Sequence, residues 1–113
     1  MTIEDDIKAN IKEFLESAEE DFIKKRFNSA IASYFKAISN ICDLKIYQIK
    51  RILPKNHSER FLFLKYSFPE VYTIVNSLFN TYVKTYNLRL GLKEAIIFKE
   101  NVSKIRKILE KSH

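Results

Sequence analysis

Apolar residues return every three or four positions along most of the chain, the spacing of a helix that buries one face. In the first such stretch, Ile7, Ile11, Leu15, Ala18 and Phe22 form one stripe. Thr2 precedes it as a candidate N-cap, and Glu4, Asp5 and Asp6 complement the helix dipole. The pattern predicts a helix running to about Lys25. A second helix is expected from near Asn28, carrying Ile31, Tyr34, Phe35, Ile38, Ile41, Cys42 and Ile49. Its apolar arc is wide enough to predict a central place, with Pro54 ending it. In "NHSE", Asn56 followed by Glu59 is a capping-box arrangement, which opens a short helix with Phe61, Phe63 and Leu64. "YSFPE" repeats the device, with Ser67 and Glu70 as the pair and Pro69 in the first turn. The helix that follows has the stripe Val71, Val75, Leu78, Tyr82 and Tyr86, and Gly91 is read as its end. The last helix spaces Ala95, Phe98, Val102, Ile105 and Leu109 like a heptad seam, which requires a partner helix in the bundle or in a second copy.

One glycine and two prolines leave almost no turn chemistry for a sheet. The expected fold is therefore all-α: an up-and-down bundle of four long helices plus one short helix. With 113 residues and 46% apolar content, residues 1–113 should form a single domain around one core. "RFNSAIASYFKAIS" has the spacing of one tetratricopeptide repeat, but no copy follows about 34 residues later, so a solenoid is rejected. The single cysteine, Cys42, fits a reducing interior. The acidic start is unlike a signal peptide, and no apolar run approaches membrane-spanning length, so a cytoplasmic protein without membrane contact is expected.

Charge adds an asymmetry. Residues 1–21 hold eight acids and two bases, −6, whereas residues 22–113 hold six acids and eighteen bases, +12. Such a field attracts polyanions or an acidic partner, or lets the acidic helix neutralise a basic neighbour. Lys55, Arg60, Lys84 and Arg89 are the expected anion contacts. Tyr82, Tyr86 and Arg89 are expected along one helix face, aromatic surface beside a guanidinium, which suits RNA or a nucleotide. His57, at a helix N-terminus where the dipole disfavours imidazolium, is expected to act as a neutral hydrogen-bonding group. There is no phosphate-binding glycine loop and no clustered metal-ligand set, and neither a cofactor nor a metal is expected. Two arginine–histidine spacings could serve RNA cleavage: Arg51 with His57, and Arg106 with His113.

"AEEDFIKKRFNSAIASYFKAI" followed by "PKNHSERFLFLK" resembles the HEPN helical domains, in particular their small stand-alone prokaryotic branch. The resemblance spans residues 18 to 89. It is carried by Ala30, Tyr34, Phe35 and Ala37, then by Lys55, His57 and Ser58, and by Arg89 in "YVKTYNLRL". It implies a four- or five-helix bundle, usually a homodimer, in a family of metal-independent ribonucleases and non-catalytic partners of nucleotidyltransferases. Catalytic members place a histidine after the matched arginine with four to six residues between them, where this chain has Glu94, Ala95 and Ile96. The expected function is therefore a non-catalytic binding module for RNA, a nucleotide or a nucleotidyltransferase-like protein. Its expected ligand-binding residues are Lys55, His57, Arg60, Tyr82, Lys84, Tyr86 and Arg89. The alternative is a metal-independent ribonuclease with a relocated site at Arg51 and His57.

Overall fold

The computed structural model describes residues 1–111 as five helices with no strand: α1 (Ile3–Ile23), α2 (Phe27–Lys50), α3 (His57–Ser67), α4 (Pro69–Tyr82) and α5 (Leu92–Glu110). His113 lies outside the described residues, and with it the Arg106–His113 spacing.

α1 starts at a reciprocal cap. The Thr2 hydroxyl accepts from the Asp5 amide at 3.0 Å, and the Asp5 carboxylate accepts from the Thr2 amide at 3.2 Å. Ile7, Ile11 and Ala18 are buried, while Leu15 and Phe22 are half-buried. The chain reverses through Lys24–Arg26, with Lys25 in the left-handed region at φ 61°. α2 is central, packing against α1, α3, α4 and α5. Ala30, Ile31, Tyr34, Phe35, Ala37, Ile38, Cys42 and Ile46 are all sealed from solvent, and burial of each large side chain is worth about 1.5–3 kcal/mol. Ile49 departs from the expected stripe and is 44% exposed. It lies in the final turn of α2, which closes at Arg51 in the left-handed conformation, φ 59°. Pro54 stands three residues further on.

The expected cap at Asn56 is present, its side chain accepting from the Glu59 amide at 3.0 Å. The Glu59 carboxylate reaches back to the Lys55 amide, also at 3.0 Å. The second expected cap is absent. Ser67 is the last residue of α3, and the Phe68 amide closes that helix on the Leu64 carbonyl at 2.7 Å, so Phe68 is the junction. Pro69 then starts α4, its fixed φ standing in for a side-chain cap.

The end of α4 also differs from expectation. The helix stops at Tyr82 and tightens into a 3₁₀ turn, Val83–Tyr86, well before Gly91. Asn28 explains why no glycine cap is needed there. Its amide nitrogen donates to the carbonyls of Thr85 at 3.3 Å and Leu88 at 2.8 Å, and its oxygen accepts from the Leu90 amide at 2.9 Å. Gly91, with an extended φ of −126°, instead begins α5, its amide donating to the Glu94 carboxylate at 2.8 Å. The α5 seam of Ala95, Phe98, Val102, Ile105 and Leu109 is buried within the chain, chiefly on α2.

One polar junction ties three helices together. The Tyr34 hydroxyl of α2 donates to Glu19 of α1 at 2.8 Å, and Lys99 of α5 reaches the other Glu19 oxygen at 3.0 Å. Burial alone would raise the Glu19 pKa. The Tyr34 and Lys99 contacts outweigh it and hold the carboxyl below its ordinary value.

Candidate functional site: a histidine cluster beside an aromatic stack

Phe35, Ser39 and Asp43 follow one another at four-residue intervals on α2, so they share one face. Phe35 and Asp43 both receive the start of α3. Across Phe35 lies the His57 ring, 6.0 Å between centroids, which also meets Phe79 of α4 at 4.9 Å and Phe61 at 5.9 Å. One turn along α3, Arg60 forks onto Asp43, with Nε to Oδ1 at 2.7 Å and Nη2 to Oδ2 at 2.8 Å. The two side chains are only 11% and 14% exposed. Ser39, one turn from each of its two neighbours, is buried with a hydroxyl that has no partner among the described residues.

The remaining Arg60 nitrogen, Nη1, lies 3.1 Å from His57 Nδ1. A guanidinium has no lone pair to offer, so arginine donates and Nδ1 accepts, which leaves the ring proton on Nε2. Partial desolvation of the ring among Phe35, Phe61 and Phe79 first, and then the Arg60 charge, hold the imidazole below its ordinary 6.5, against a smaller opposite effect of Asp43, although the residue as a whole is exposed. His57 is thus neutral at pH 7. Arg60 is not the open anion ligand expected from the sequence, because Asp43 already occupies its fork.

The aromatic part of the site continues from the same Phe35. Tyr82 stacks on it at 4.6 Å with 15° between planes, and the Tyr82 and Tyr86 hydroxyls are 3.2 Å apart. That bond, with burial second, pushes the Tyr82 hydroxyl up to about 12. Tyr86 itself is 74% exposed. Because the helix ends before Arg89, the expected continuous face of Tyr82, Tyr86 and Arg89 does not form. Arg89 lines a cavity of about 260 Å³ with Lys25, Arg26, Asn28 and Ser29. Lys84 and Lys55 are exposed.

Arg51 and His57 have different surroundings. The Arg51 guanidinium lies 5.5 Å from the Tyr47 ring centroid and 4.0 Å from Glu4, whereas His57 meets Phe35. Tyr47 and Phe35 are twelve positions apart on α2, about 18 Å along its axis. Sequence reading missed Asp43, Ser39 and Phe79. The available signal was one acid on the apolar arc of α2. No group of three or more histidine, cysteine or acidic residues that could hold a metal ion occurs among the described residues. A larger groove, about 710 Å³, opens between α1, α2 and α5, lined by Ile11, Ile41 and Leu109 with Arg106 beside them, and includes none of the expected ligand-binding residues.

The chain matches no family model, no curated protein and no solved structure.

Proposed function

We propose that the protein is a non-catalytic, HEPN-type helical-bundle module that binds single-stranded RNA or a nucleotide through the surface of His57, Tyr82 and Tyr86. The observation that carries this reading is the exposed Tyr86 ring, braced by its hydroxyl against Tyr82, which in turn stacks on the buried Phe35. A ring held out in this way offers a base a stacking platform that needs little ordering on binding. Lys84 lies in the same turn and Arg89 three residues beyond Tyr86, where they supply attraction for phosphate.

The separate surroundings of Arg51 and His57 support the non-catalytic reading, as does a neutral imidazole with one nitrogen already bonded. A nucleotidyltransferase-like partner and homodimerisation rest on the sequence resemblance. The α5 seam and most of the α2 arc, whose spacing alone would suit a second copy, are covered within the chain.

Fluorescence anisotropy with a labelled oligouridylate at low salt tests the proposal. Binding that weakens roughly tenfold in Tyr86→Ala is expected from the loss of one stacked base. Absence of binding at high micromolar protein would overturn it. Metal-independent cleavage that disappears in both Arg51→Ala and His57→Ala would favour the ribonuclease.

A further inference from the structure

We propose that Asp43, acting through Arg60, fixes His57 as its Nε2–H tautomer, and that this N–H is the hydrogen-bond donor met by an acceptor oxygen of the ligand beside Tyr82 and Tyr86. The proposal rests on the binding reading above and adds to it the polar contact that orients the bound group.

The geometry runs in one direction. Asp43 uses both oxygens on Arg60, which sets the plane of the guanidinium. The same plane points Nη1 at His57 Nδ1, at 3.1 Å. Arginine always donates, so the Nδ1–H tautomer would bring two N–H groups face to face and is excluded while the fork holds. The ring is further held by Phe35, Phe79 and Phe61. No group among the described residues bonds to Nε2, and His57 as a whole is exposed. The outcome is a neutral donor of fixed direction at the edge of an aromatic surface.

A donor of this kind selects for an acceptor and, without a charge, gives little preference for a phosphate over a carbonyl. Both sources satisfy the chemistry, an exocyclic oxygen of a pyrimidine or a phosphate oxygen. Asp43 and Arg60 are positioning residues here, since they reach the ligand only through His57.

Long-range ¹H–¹⁵N NMR of the intact protein provides the first test, because it distinguishes the protonated ring nitrogen from the bare one. His57 should show a protonated Nε2 in the wild type and a mixture of tautomers in Asp43→Asn and in Arg60→Met, both checked for a retained melting transition. Arg60→Lys, which keeps the charge and removes the fork, should also show the mixture. An Nδ1–H tautomer in the wild type, or an unchanged tautomer in all three variants, would overturn the proposal.

The second test adds oligouridylate, uridine or inorganic phosphate. A shift of the Nε2 resonance with uridine assigns the acceptor to the base, and a shift with phosphate alone assigns it to the backbone. His57→Phe should bind the oligonucleotide about tenfold more weakly, the loss of one hydrogen bond. Oligonucleotide binding with Nε2 unmoved would sink this inference and leave the binding reading intact. Failure of the oligonucleotide to bind while the tautomer is as expected would remove the binding reading, and the ligand contact with it.

Discussion

Both carboxylate oxygens of Asp43 meet the Arg60 guanidinium, at 2.7 and 2.8 Å, and so join the middle of α2 to the first turns of α3. Neither residue is more than 14% exposed, so removing one leaves the other charge poorly solvated. Asp43→Ala should lower stability by about 2–3 kcal/mol. The double variant Asp43→Leu, Arg60→Met should lose much less, because neither charge is then stranded. Urea midpoints of the singles and the double check this. Equal losses in the double and in Asp43→Ala would show that the pair is already well solvated.

His57 gives stability a pH dependence of known sign. Its folded pKa lies below the ordinary 6.5 because of burial and Arg60, so the unfolded chain takes up the proton first as pH falls. Stability should therefore decline on acidification through the region just below 6.5 and level off once the folded form is also protonated. Glu19 and Glu20, whose pKa values are lowered from an ordinary 4.5, contribute stability that disappears only at more acid pH. Comparing unfolding of the wild type with His57→Gln across this range isolates the histidine. An identical slope in the variant would assign the decline to other groups.

Arg51 closes α2 in a conformation that favours glycine, φ 59°. Its side-chain contacts with Glu4 and Tyr47 are exposed and weak. Arg51→Gly should raise stability by about 0.5–1 kcal/mol, through relief of the left-handed strain. A lower melting temperature in Arg51→Gly would mean that the side-chain contacts outweigh it.

Cys42 is fully buried on α2, and burial, with Asp43 adding to it, pushes its thiol up to about 12. A thiol-specific disulfide reagent should therefore not label it in the folded protein and should label it fully in denaturant. Rapid labelling under native conditions would mean that α2 opens on the timescale of the assay.

Helix positions were legible in the sequence because a 3.6-residue period is a local property: Ile7, Ile11 and Ala18, like Phe98, Val102 and Ile105, are buried as their spacing predicts. Caps were legible only where a side chain satisfies its own helix, as Asn56 does. Gly91 was misread because what ends α4 is a residue in the first turn of α2, Asn28, about sixty positions away in sequence. The site was half legible for the same reason. His57, Tyr82 and Tyr86 stand out by residue type. The Asp43–Arg60 pair is set by how α3 lies on α2, and no periodicity reports that.

The salt dependence of RNA binding should separate the cations that the sequence grouped together. Removing one cation that meets a phosphate of a single strand should lessen the slope of log affinity against log salt by roughly 0.7. Lys84→Gln and Arg89→Gln should each show that change, since both residues are exposed and stand two and three positions from Tyr86 in the chain. Lys8→Gln and Lys12→Gln, on the acidic α1, should show little. Arg60 is expected to differ from both groups. Its charge is already balanced by Asp43, so Arg60→Met should weaken binding through His57 while leaving the slope nearly unchanged. A full phosphate-sized change of slope in Arg60→Met would mean that the fork opens to the ligand, and that the guanidinium rather than the imidazole makes the polar contact.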